Sequence, residues 1–115
     1  MKKTHQKAVS AMQQALVLRE QGKDKDANKL FVKAFNQEKQ AALSLQADFN
    51  NEPARSTLFR NAASLAMNCR KYVEAEKLAA HGLAGNPPQD LMNELRELYQ
   101  QINARLFRSN TENIV

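Results

Sequence analysis

The chain has 115 residues, of which 43% are hydrophobic, 25% charged and 6% aromatic, with three glycines, three prolines, one cysteine and a net charge of +5. This length suits one domain with a buried core. Abundant Ala, Leu, Lys, Glu and Gln favour helices, the scarcity of β-branched and aromatic residues argues against a sheet, and a lone cysteine excludes an internal disulfide framework.

The basic balance raises nucleic acid and acidic partners as candidates. Its distribution weakens that case, because cations alternate with acids, as in Lys23-Asp24-Lys25-Asp26 and Glu74-Ala75-Glu76-Lys77. A solvated helical surface gives the same pattern. Lys2 and Lys3 precede some apolar residues, but Gln6, Lys7, Gln13 and Gln14 interrupt any signal-peptide core. No run approaches the roughly 18 apolar residues of a membrane span. The expected setting is the cytoplasm, without a membrane partner.

Apolar spacing predicts five helices. The first covers about 4–21, with Ala8, Ala11, Met12, Ala15 and Leu16 on one face, and Gly22 stops it. The second starts near Asp24, read as an N-cap, and runs to about Gln46. Its stripe is the clearest in the chain: Ala27, Leu30, Phe31, Ala34, Phe35, Ala41, Ala42 and Leu45. Pro53 is expected in the first turn of the third helix, which carries Leu58, Phe59, Ala62, Ala63, Leu65, Ala66 and Met67 up to Cys69. The fourth runs from about Tyr72 to Ala84, with Tyr72, Ala75, Leu78, Ala79, Gly82 and Leu83 inward, and Gly85-Asn86-Pro87-Pro88 ends it. The fifth covers about 89–108 on a seam of Leu91, Leu95, Leu98, Ile102 and Leu106, and residues 109–115 read as a flexible polar tail.

Helix pairs joined by short turns invite a search for repeats. In residues 8–41, Gly22, Ala27, Phe31 and Ala34 fall at the turn glycine and the small, aromatic and small positions of a second helix, and Ala15 and Leu18 fit a first helix. In residues 56–89, Phe59, Ala63, Ala75, Gly82 and Pro87 take comparable places. On these residues the chain resembles the tetratricopeptide repeat family of helix-turn-helix units. The pattern departs at Gln14, Lys39, Arg70 and Ala79, and Ala27 and Ala75 stand 48 residues apart instead of 34. Any antiparallel helical hairpin also needs small residues at its crossings. The resemblance implies an all-α fold of about five antiparallel helices, a right-handed array of two units within residues 1–108. The fifth helix would seal its end. Two units are short for the family, and the long second helix or homodimer formation would make up the deficit.

Catalytic chemistry leaves little trace. His5 and His81 are the only histidines, and no His-Glu-x-x-His or Cys-x-x-Cys spacing exists. Glu94 and Glu97 form half of a di-iron pattern without its histidine, and they equally suit a solvent-facing helix. Cys69 precedes Arg70 and Lys71, cations that could favour a thiolate, yet a small buried residue is the simpler reading. Neither a metal, a cofactor nor an enzymatic activity is expected.

In the family that the chain resembles, ligands lie in a concave groove lined by the first helix of each unit. Carried over by position, this implies partner contacts at Met12, Leu16 and Arg19 in the first unit and at Arg60, Ser64, Met67 and Asn68 in the second. Arg60, Ser64 and Asn68 step by four along one polar strip, where Arg60 would offer a bidentate fork. A solvated helix face is the plainer explanation of the strip. Met12 and Leu16 replace the Lys and Asn of the subgroup that clamps a peptide carboxylate, so that specialised activity is not expected. The leading expectation is a non-enzymatic module that binds a peptide or a segment of a partner protein. The alternative is a small basic helical nucleic-acid-binding protein, using Arg60, Arg70, Lys71 and Lys77.

Overall fold

A computed structural model describes the backbone of residues 2–114 and the side chains of residues 8–108. It is all-α, with five helices and no strand among the described residues: α1 (Lys2–Glu20), α2 (Asp24–Ser44), α3 (Ala54–Asn68), α4 (Tyr72–Leu83) and α5 (Gln89–Ile114). Helix ends differ from the sequence expectation in several places, mostly by one or two residues, and three of the differences are informative. Asp24 is the first residue of α2 and Lys23 its cap, so Asp24 and Asp26 serve the positive end of the helix from within its first turn. Pro53 stands just before α3, and Glu52 caps that helix by accepting the Ser56 N–H (2.9 Å) and hydroxyl (2.6 Å). The α5 backbone continues to Ile114, past the limit expected at Arg108.

Each helix packs against the next in the chain, and α5 also reaches α3. Two hairpins therefore form, α1–α2 and α3–α4, with α2 against α3 and with α5 closing the outer side of the second. The seam is rich in small side chains. Ala15, Ala27, Ala34, Ala42, Ala62, Ala63, Ala66, Ala75 and Ala79 are all buried, which lets helix backbones approach closely. Phe31, Phe35, Phe59, Leu95 and Ile102 fill the remaining space. Most of the α2 stripe read from the sequence is buried, with Leu30 at its margin. In α4, Ala75, Leu78, Ala79 and Gly82 are buried, while Tyr72 and Leu83 are half-buried.

The two hairpins share one turn geometry. The Gly22 N–H donates to the Arg19 carbonyl and the Lys23 N–H to the Leu18 carbonyl (3.0 and 2.9 Å). At the second turn Arg70 donates to Met67 and Lys71 to Ala66 (3.0 and 2.8 Å). Both patterns close a helix C-terminus through a left-handed residue, with φ 79° at Gly22 and 59° at Arg70.

At the opposite end, the α2–α3 and α4–α5 connections meet around Arg55, which is buried at 1% exposure. Its guanidinium donates to the Gln46 carbonyl (3.0 Å) and the His81 carbonyl (2.9 Å), and it lies against the Phe49 and Phe59 rings. Glu52 also accepts the Asn86 N–H (3.1 Å), which ties the loop after α4 to the start of α3. A Cβ at Gly85 would collide with the Arg55 guanidinium, so this close approach requires glycine.

Candidate functional site

Among the described residues α1 makes no close backbone approach to α3 or α5, while α5 packs against α3. A depression of about 540 Å³ opens between these three helices. Met12 of α1, Arg60 and Ser64 of α3, and Glu94, Leu98 and Gln101 of α5 line it. The α5 helix is thus a wall of the groove and does not occupy it. Arg60 is already engaged there: it forms an ion pair with Glu94, and its Nε and Nη2 also meet the Asn61 carboxamide oxygen (3.3 and 3.0 Å). Glu94 faces solvent, as expected, and also spans from α5 to Arg60 of α3. This pair is partly exposed on both sides, so its main effect is to orient Arg60 rather than to add much stability.

Glu38 lines the same depression and is buried. Sequence reading missed it, although a signal was present. Position 38 continues the three-four stepping from Phe31, Ala34 and Phe35 to Ala41 and Ala42. A carboxylate on the apolar stripe of a helix is an informative exception.

The remaining expected groove residues lie elsewhere. Arg19, Met67 and Asn68 line a second depression of about 680 Å³, between the ends of α1 and α3 and the starts of α2 and α4. Leu16 lies in neither depression and is exposed. The single groove expected from the sequence is therefore divided, and the polar strip of Arg60, Ser64 and Asn68 with it: Met12, Arg60 and Ser64 line one hollow, and Arg19, Met67 and Asn68 the other. Asn68 donates its carboxamide to the Ser64 carbonyl (3.2 Å) within the same helix.

The chemical options of the site are narrow. Burial pushes the Cys69 thiol above its ordinary range, against the weaker opposing pull of Lys71. The neighbouring cation thus does not activate a thiolate. His81 is half-buried against the Phe59 ring, and no group of three potential metal ligands occurs among the described residues. His5 lies outside the described side chains. No helix of the described residues is long and apolar enough to cross a membrane. The arrangement offers hydrogen-bond donors, cations and apolar walls, which suits recognition of another molecule. Compared with protein-family models, curated protein sequences and solved structures, the chain matches none.

Proposed function

We propose that this protein is a non-enzymatic interaction module that holds a peptide or a segment of a partner protein in the groove between α1, α3 and α5. One observation carries this reading: α1 stands away from α3, so the groove stays open with α5 as its third wall. Met12, Leu65 and Leu98 give this hollow apolar surface, and Arg60, Asn61, Ser64 and Gln101 give it hydrogen-bonding groups. A concave site with apolar walls and a few fixed polar groups is the usual form of a binding site. The resemblance to tetratricopeptide repeats agrees with a ligand on this side of paired helices.

Ser64 is exposed in the hollow, so Ser64→Trp blocks the groove without entering the core. Immobilised wild type should retain a partner from native extract that Ser64→Trp does not, with the same melting temperature for both proteins. A photo-crosslinker at position 64 should label that partner. Equal retention by both proteins, or no labelling of the partner from position 64, removes this reading.

A further inference from the structure

The second depression has a different chemistry. Arg19 from the end of α1, Arg70 from the α3–α4 turn and Arg105 from α5 all line it. Asp24 is the one carboxylate among its lining residues. None of the ion pairs between described residues involves any of the three arginines. Three elements thus bring cations to one hollow and leave their charge unmatched.

One of these arginines has its guanidinium held in place, and a second has its backbone fixed. The Arg19 guanidinium lies 4.4 Å from the centre of the buried Phe31 ring. Stacking of this kind fixes the guanidinium plane while leaving its N–H donors free for an anion. Arg70 sits at φ 59°, where the matching turn of the first hairpin uses glycine. The backbone there is set by the turn, which fixes the direction of the Cα–Cβ bond at the rim of the hollow. Val32, Met67 and Tyr72 add apolar and aromatic surface to the same hollow. A bare inorganic anion would leave that surface uncovered.

From this geometry we infer that the hollow formed by Arg19, Arg70 and Arg105 is a recognition site for an acidic peptide segment, binding a carboxylate beside an apolar side chain. Arginine suits a carboxylate because two parallel N–H groups match its two oxygens. The inference rests on the interaction reading, since it supplies the chemistry of a partner segment. The two hollows nevertheless fail separately, because Ser64 lines only the first.

The test is an amide chemical-shift titration of the full chain, observing Asn28, Asn68, Arg70 and Tyr72. The probe is an acetylated, amidated peptide of alternating glutamate and leucine. Its controls are the same peptide with glutamine for glutamate, inorganic phosphate, and a mixed-sequence RNA oligonucleotide. The acidic peptide should shift these amides saturably, and the neutral peptide should not. Arg70→Gly with Arg105→Gln should weaken binding at least about tenfold, while Ser64→Trp leaves it unchanged. Arg70→Gly installs at this turn the residue already found at Gly22, so weakened binding does not reflect lost folding. No shift with the acidic peptide, equal shifts with the neutral one, or unaltered binding by the double variant overturns the inference. Phosphate acting where the peptide is silent overturns it in favour of a phosphate site. Tighter binding of RNA at the same amides overturns it in favour of nucleic acid.

Discussion

The turn of the first hairpin is built on Gly22 at φ 79°, and 48 positions later the turn of the second is built on Arg70 at φ 59°. The hydrogen bonds around the two are the same in kind and nearly in length. The backbone therefore demands a left-handed residue at both places, and only the first receives the residue that adopts it freely. A side chain in that region costs about 1 kcal/mol relative to glycine. The second hairpin bears this strain at the rim of the hollow that Arg70 lines together with Arg19 and Arg105. Strain kept beside a cluster of unmatched charge is consistent with a side chain retained for recognition.

The same offset exposes a second difference. Ala34 in α2 corresponds to Gly82 in α4, and Phe31 corresponds to Ala79. A Cβ at Gly82 would stand 3.1 Å from Leu95 and 3.2 Å from the Phe59 Cβ. The second hairpin has given up side-chain volume on this face because α5 lies against it. The first hairpin instead fills its interior with Phe31.

Five substitutions test this contrast. The largest effect is expected from Arg55→Met, which leaves the Gln46 and His81 carbonyls without their guanidinium donor. Loss of that buried charged partner should lower stability by about 3 kcal/mol, read by urea unfolding. Hydrogen exchange should accelerate in α3 and α4 more than in the Gly22 turn. Equal acceleration in both hairpins would show that Arg55 does not anchor the second one in particular.

Gly82→Ala should cost about 1 kcal/mol, because crowding against Leu95 and Phe59 outweighs the better helix propensity of alanine. A gain in stability would mean that α5 can shift away, and would weaken the idea of a tightly seated closing helix. Arg70→Gly should raise stability by roughly 0.5–1 kcal/mol in thermal melts, whereas Gly22→Ala should lower it by a similar amount. Were Arg70→Gly destabilising, the arginine would be supporting the fold, and the contrast between the turns would lose its functional sense.

The smallest effect is at Glu74, whose carboxylate accepts a hydrogen bond from Lys39 and so links α4 to α2. That hydrogen bond, with the charges of Lys39 and Lys71, lowers the Glu74 pKa against the opposing effect of burial. A lowered folded-state value means stability that is present above the unfolded value, about 4.3, and lost as pH falls through the lowered one. Both side chains of the pair are 36% exposed, so Glu74→Gln should cost less than about 0.5 kcal/mol at neutral pH. The difference from wild type should disappear in acid, and a difference that persists there would point to packing instead of charge.

Local spacing was enough to locate the helices and most of the seam between them. Three-four spacing of apolar residues marks a buried stripe whatever it packs against, and Gly22 and the Asn86–Pro88 stretch mark ends through backbone chemistry alone. The burial of Ala27 and Ala75 follows from the same stripe. What spacing along one helix does not encode is how far that helix stands from another. The distance between α1 and α3 opened one hollow and sent Arg19, Met67 and Asn68 to another. Arg55 and Glu38 look like surface residues by composition, because a buried charge is tolerated only where distant parts of the chain supply its surroundings. For Arg55 these are the Gln46 and His81 carbonyls and the Phe49 ring. Tertiary structure likewise brought Arg105 to Arg19 and Arg70: convergence across three elements depends on how the helices dock, and no local pattern of residues records it.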